Sequence, residues 1–337
     1  MDKRIVIFDP TIDDQMSKVR GIGRYLKLLK ETLKNNAIFT NDLNSVSKDS
    51  IFINPFLNFF TPPLLSKRIF SKQIAVIHDV IPLKYRSHFP VGIKGYFKYL
   101  KNKKALANYD LVITDSESSK DDVIKYLKID EQTIKVVYPS LTNNFLKKNP
   151  RKPNFVDEKS IYLLYVGDAT WNKNLVNLAK AIKKTGVSSI FVGKVFNEKS
   201  VLVHPWQKEL RSFFEIVKDD KNFIFPGFVS DSELLWLYKN AVCNVLVSFD
   251  EGFGFSYLES SSQKTPSVLS DIPVFREIAQ DNAVFAICED ITDIAKKIDN
   301  FFKDKALRDT MGEESYERSR FFSQSAFQKN FLSAVNS

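Results

Sequence analysis

The chain has 337 residues, 44% of them hydrophobic and 26% charged, with a formal net charge of +9 and two cysteines. These values exclude a disordered, collagen-like or disulfide-framed protein, and they suit two domains of about 150 residues, each with its own core. The positive excess favours anionic partners such as nucleotides, lipid-linked phosphates, acidic membranes or nucleic acid, and fits equally a lysine-rich surface that is merely solvated.

Met1 to Phe8 turns at once into a short apolar run of strand length, without the apolar core and cleavage site of a signal peptide. No stretch approaches the ~20 apolar residues of a membrane span. The expected location is the cytoplasm, with any contact at the inner membrane face peripheral. Short apolar runs then alternate with amphipathic stretches, the pattern of parallel strands joined by crossover helices. Strands are predicted at Ile5 to Phe8, Ile51 to Asn54, Ile74 to Ile77, Leu111 to Thr114 and Ile134 to Val137, with helices at Gly23 to Leu33 and Ser118 to Leu127. The second of these helices is opened by Ser116 or Ser118 as a cap. The run Ile93 to Lys104 interleaves aromatic and basic residues. It reads as a surface helix with its aromatic face in the core, the alternative being a basic amphipathic helix resting on an anionic membrane.

A polar stretch from Thr142 to Lys159 reads as a linker. A second series follows, with strands at Ile161 to Val166, Ser189 to Val192, Ile224 to Phe225, Val242 to Val247, Ser267 to Leu269 and Ala283 to Ala286. Helices are predicted at Leu175 to Lys184, Ser232 to Asn240 and Tyr257 to Gln263, and the amphipathic tail Glu313 to Val335 reads as one long last helix. The expected domains are 1–142, a linker 143–159, 160–315, and a C-terminal helix 316–337 returning to the first domain. Two α/β sheets facing across a cleft would place ligands outside the carboxyl ends of their strands.

The chemistry concentrates in Asp250-Glu251-Gly252-Phe253-Gly254-Phe255-Ser256-Tyr257-Leu258-Glu259, between an apolar run and a helical pattern. Glycines at 252 and 254 let backbone amides approach an anion at a helix N-terminus, where the dipole also favours negative charge. Glu251 and Glu259 stand eight apart, one in the loop and the other about two helical turns on, so acceptor-only carboxylates could grip hydroxyls at two ends of one ligand. The plainer alternative is a strand-loop-helix junction with a capping acid at each end.

Together with Lys264-Thr265-Pro266, this segment resembles the Glu-x7-Glu signature of glycosyltransferase family 4. The resemblance implies the GT-B fold of two Rossmann-like, doubly wound parallel-sheet domains and a retaining transfer from a nucleotide-diphosphate sugar to a glycan or lipid-linked acceptor. It extends upstream to Tyr165 to Leu175, where Lys173 takes the position of the lysine that contacts the donor diphosphate, while Asn172 stands where the family usually has Arg. Gly227 to Leu234 resembles the loop that brackets the nucleotide base, which makes Phe228 and Val229 donor contacts; Ser230 or Asp231 with Glu233 also reads as a simple capping box. Gly21-Ile22-Gly23-Arg24-Tyr25 resembles the glycine loop ahead of the first helix, placing Gly21 and Gly23 at the donor and Arg24 and Tyr25 at the acceptor. It is not a dinucleotide fingerprint, since Leu26 replaces the third glycine.

His78-Asp79-Val80-Ile81-Pro82-Leu83 is similar to an element of bacterial mannosyl- and rhamnosyltransferases of surface-polysaccharide assembly, in which the His meets the donor sugar; His88 and His204 read as ordinary hydrogen-bonded histidines. The implied catalytic residues are His78, Lys173 and Glu251. The implied donor contacts are Gly21, Gly23, Asn172, Lys173, Phe228, Val229, Glu251, Phe253, Gly254, Phe255 and Glu259. Glu251 would hold the sugar hydroxyls and Glu259 the ribose. No cofactor and no metal is expected, nor nucleic acid as a partner, and the donor is weakly tilted to GDP-mannose. Rival readings are a nucleotide-sugar epimerase, a glycan phosphorylase, a nucleic-acid-binding protein and a non-catalytic sugar-nucleotide-binding member.

Overall fold

The computed structural model describes residues 4–12, 21–197 and 204–337, with the backbone alone at 21 and 22. The chain divides into two compact units, Met1–Asn143 with Phe322–Ser337, and Asn144–Phe321.

The first unit is built on six parallel strands, β1 (Ile5–Phe8), β2 (Ala37–Thr40), β3 (Ile51–Asn54), β4 (Lys72–Val76), β5 (Leu111–Thr114) and β6 (Ile134–Val136), in the order β2-β1-β3-β4-β5-β6. Continuous apolar runs such as Ile51–Asn54 and Leu111–Thr114 are buried on both faces, as a parallel sheet covered by helices requires. Alternation sorts the side chains. Ile5 and Ile7 join the helix Gly21–Leu33 in one core, while Val6 points to the opposite face with Phe52, Leu65 and Phe70. Phe327, Phe331, Ala334 and Val335 of the last helix, Gln324–Asn336, complete the first of these cores.

The second unit has strands β7 (Leu163–Val166), β8 (Ser189–Val192), β9 (Phe223–Gly227), β10 (Cys243–Leu246), β11 (Ser267–Ser270) and β12 (Val284–Ala286), all parallel, in the order β12-β11-β10-β7-β8-β9. This is a doubly wound sheet. The chain runs outward one way from β7 and the other way from β10, so its topological switch point lies where those two neighbours end.

Several sequence expectations need correction. Strand β2 escaped the sequence reading because it is a short edge strand, half-buried throughout and without alternation. The helices Lys208–Val217, Pro273–Ala279 and Ile291–Lys303 were also missed. The tail is two helices, Lys305–Ser319 in the second unit and Gln324–Asn336 in the first, broken where Ser323 turns extended and caps the new helix by accepting the amide of Ala326. Within the polar stretch 143–159, Asn143–Leu146 is a helical turn. Arg151 is held against the second unit by the Ser232 carbonyl and by Glu233.

The helix Gly92–Leu106 departs most. Aromatics at 96, 97 and 99 cannot share one face of a 3.6-residue helix. The core takes the face of Gly95, Tyr99, Asn102 and Leu106, leaving Ile93, Tyr96, Phe97 and Leu100 exposed. No described helix is long and apolar enough to cross a membrane.

Candidate active site

Residues Gly167 to Asn174 follow β7, and Val247 to Gly254 follow β10, the two strands that flank the switch point. Two asparagines tie these loops together. Asn172 donates its amide to the Asp250 carbonyl at 3.0 Å, accepts the Thr170 hydroxyl at 2.7 Å, and receives the Phe249 amide on its own carbonyl at 2.7 Å. Asn174, in the left-handed conformation at φ 56°, donates to the carbonyls of Val247 and Cys288. Trp171 stacks on Phe249 with ring centroids 4.9 Å apart.

Between these staples stands Lys173, whose Nζ lies 2.7 Å from each carboxylate oxygen of Glu251. Ser248, missed by sequence reasoning, donates its hydroxyl to Glu251 Oε1 at 2.8 Å. Its only sequence signal is a place three residues before Glu251 at a strand's end. With side chains 20% and 9% exposed, the ammonium and carboxylate are largely desolvated and their attraction is worth more than on an open surface.

Glu251 leads into the short helix Phe255–Ser261, which begins at Gly254 with φ 109° and carries no side-chain cap. A Cβ at Gly254 would come within 2.9 Å of the Phe275 ring, so both backbone conformation and space call for glycine. Helices opening at Asp231, Ile291 and Lys305 do carry side-chain caps. The first-turn amides at Phe255 thus lack the side-chain acceptor that a capping residue supplies. Underneath, Ser256 donates to Asn244 on β10, and Glu259 is wholly buried and accepts the Tyr238 hydroxyl at 2.8 Å. Phe253 is buried edge-on to Phe255. The structure therefore pairs Lys173 with Glu251 and ties Asn172 to the neighbouring Asp250 carbonyl, whereas the Glu259 carboxylate lies in a polar layer beneath the helix.

At the carboxyl end of β9, Gly227 turns at φ 74° against the Asn197 side chain. Phe228 is 62% exposed, while Val229 is buried. Ser230 and Glu233 form the reciprocal capping box read from the sequence. Both cysteines are free and buried, and burial foremost pushes each thiol up to about 12, so neither offers a thiolate.

In the first unit, His78 follows β4 and Asp115 follows β5. His78 Nδ1 is 2.7 Å from Asp115 Oδ2, and Nε2 is 3.0 Å from the Pro55 carbonyl. A carbonyl only accepts, and so does an ionised carboxylate; both bonds are satisfied together by the imidazolium. Burial opposes that charge, but the Asp115 carboxylate, by charge and hydrogen bond, with Asp79 and the Pro55 carbonyl, holds the His78 pKa above its ordinary 6.5. A sugar hydroxyl would reach Nε2 only by displacing Pro55. Asp115 went unread in the sequence, where its only signal was an acid directly after the predicted strand Leu111 to Thr114. Tyr25, read as an acceptor contact, is wholly buried edge-on to His78 at 4.7 Å, and Arg24 is half-buried beside it in the chain. Gly21 and Gly23 lie inside the first turn of the helix Gly21–Leu33 rather than in a loop ahead of it.

The His78–Asp115 pair predicts a pH-dependent stability. A folded pKa raised above the unfolded value stabilises fully below about 6.5, and the gain fades as pH climbs through the folded pKa. Asp115→Asn should cost about 1.5–3 kcal/mol at pH 6, and less in alkaline buffer. Thermal unfolding of both proteins at several pH values measures this, and a constant gap would contradict the imidazolium.

Residues 147–318, just over half of the chain, match the family model of glycosyl transferases group 1. The O-antigen chain mannosyltransferase RfbU of Salmonella typhimurium is 31% identical over 222 residues, 65% of this chain but only 57% of that protein. The O-antigen chain mannosyltransferase B of Escherichia coli is 24% identical over 290 residues, 82% of this chain and 71% of the relative. Among solved structures, Anabaena HepE in complex with UDP-glucose aligns with a TM-score of 0.72 at 14% identity, covering 99% of this chain and all of that one. Two six-stranded parallel sheets with flanking helices give the GT-B fold, and with a family match that takes in both switch-point loops, this chain belongs to glycosyl transferases group 1.

Proposed function

We propose that this chain transfers a hexose, with retention, from a nucleotide-diphosphate sugar to a hydroxyl of a glycan or lipid-linked acceptor, and that the donor is GDP-mannose. The observation that carries the reading is the Lys173 ammonium held against Glu251 beside an uncapped helix start, at the switch point of a doubly wound sheet. The names of the two O-antigen mannosyltransferases support mannose.

The sugar's C1–O bond to the diphosphate breaks and a C1–O bond to the acceptor forms on the same face. Negative charge grows on the departing phosphate oxygen, where Lys173 and the amides at Gly254 and Phe255 stabilise it. That oxygen takes the proton of the attacking hydroxyl, so the nucleoside diphosphate leaves and atoms balance. Glu251 accepts hydrogen bonds from sugar hydroxyls, and the exposed Phe228 ring is a platform for the base. Glu259 holds the ribose once its Tyr238 bond is shared.

A melting-temperature panel of nucleotide-diphosphate sugars tests the donor, because a ligand that binds only the native state raises its stability by about 2.7 kcal/mol at a hundredfold excess over Kd. GDP-mannose should give the largest rise, mass spectrometry with a mannan-type acceptor should detect the product, and NMR of its anomeric proton should show an α linkage. A larger rise with UDP-glucose would replace the donor. Inversion at C1 would refute retention.

A further inference from the structure

Between Asp79 and Asp110 the chain carries no acidic residue but seven basic ones, Lys84, Arg86, Lys94, Lys98, Lys101, Lys103 and Lys104, a large share of a formal excess of only +9. Five of them lie on the helix Gly92–Leu106. That helix is moored by Tyr99 and Leu106 in the core and by Asn102, whose amide donates to the carbonyls of Phe59 and Thr61 at 3.2 and 2.8 Å. At 100° per residue, Ile93, Tyr96, Phe97 and Leu100 form a stripe opposite the moored face. They are 78%, 48%, 59% and 41% exposed. Lys94 and Lys101 border this stripe on one side and Lys103 on the other, while Lys104 stands within it; all four are exposed. Among the described residues none of the four makes an ion pair.

We propose that this face docks on an anionic lipid bilayer, the apolar stripe entering the headgroup boundary and the lysines meeting lipid phosphates. An apolar ridge set squarely away from the core offers nothing to folding and costs solubility, and a lysine rim with no acid is complementary to a negative surface. A small apolar cleft beside the ridge, lined by Phe60, Leu83, Phe89, Val91, Tyr96 and Tyr99, extends the greasy surface past the helix. The docking is independent of the glycosyl-transfer reading, since it needs no donor.

Flotation of the purified full chain tests it, with vesicles of phosphatidylcholine alone and of phosphatidylcholine with 30% phosphatidylglycerol. The chain should float with the anionic vesicles and remain behind with neutral ones. The variant Lys94→Ser/Lys101→Ser/Lys103→Ser/Lys104→Ser should weaken anionic binding roughly 10²–10³-fold, and Phe97→Ser/Leu100→Ser roughly 10- to 100-fold. Because these side chains point outward, unchanged melting temperatures should show both variants folded. Equal binding to neutral and anionic vesicles, or undiminished binding in both folded variants, overturns the proposal. So does sedimentation showing a dimer that Phe97→Ser/Leu100→Ser dissolves, which would put a second copy on the ridge.

Discussion

Replacing Glu251 by alanine is expected to lower transfer by roughly 10²–10³-fold, the scale seen when one preorganised electrostatic contact is removed, and Lys173→Ala should do the same. The reason lies in the geometry of the pair. The ammonium is gripped by both oxygens of one carboxylate, itself fixed by Ser248, so the cation is already desolvated and aimed before any phosphate arrives. A diphosphate entering the uncapped turn at Phe255 would draw the ammonium away and leave Glu251 to accept from sugar hydroxyls. Glu251→Gln preserves size and the Ser248 contact, so it should keep most stability while losing activity, with losses from the broken ion pair of about 1–3 kcal/mol. Residues acting as a unit are non-additive, and the Lys173→Ala/Glu251→Ala double variant should be scarcely slower than either single one. Product formation followed by mass spectrometry, with melting curves for every variant, measures both effects. Wild-type turnover in a folded Lys173→Ala or Glu251→Ala protein would remove that residue from the chemistry.

Phe331→Ala should destabilise the first unit by about 3–5 kcal/mol, the usual cost of deleting a fully buried aromatic ring. Phe331 has no exposed surface and stacks on Phe327 with centroids 5.5 Å apart, and Phe327 in turn meets Tyr25 edge-on at 6.0 Å. The last helix is moored by polar contacts too: Gln324 and Gln328 donate to Glu31 and to the Thr32 carbonyl, and Lys72 Nζ binds the carbonyls of Val335 and Ser337. Against a domain stability of about 5–15 kcal/mol, the loss is large. Calorimetry should show the first unit melting earlier while donor-induced stabilisation of the second persists. A single unshifted transition would mean that the helix adds little to the first core. Since Tyr25 also touches His78, the same variant should loosen the imidazolium site and flatten the pH dependence expected of the Asp115 pair.

The residue pattern alone was enough for most of the strands and for the loops that follow β7 and β10, but not for β2, the helices Lys208–Val217, Pro273–Ala279 and Ile291–Lys303, or the break in the tail. Runs such as Ile5 to Phe8, Ile51 to Asn54, Leu111 to Thr114 and Ser189 to Val192 coincide with β1, β3, β5 and β8, because a strand buried on both faces is apolar at nearly every position. Glu251 and Gly254 were visible because glycine and charge beside a strand end are rarely neutral choices, whereas Lys173 stood out only through the resemblance to glycosyltransferase family 4. Tertiary structure alone decided what faces what. Strand order, and with it the meeting of the β7 and β10 loops, depends on contacts far apart in the chain that no local period encodes. So does the pairing of His78 with Asp115, 37 residues away. The Gly92–Leu106 helix shows the limit most plainly. Its sequence offers apolar residues all round, and only packing against Phe59 and the neighbouring core chose Tyr99 for the inside and left Phe97 in water. Local chemistry dictates which elements form, and burial of one face against distant partners dictates which side chains remain to act.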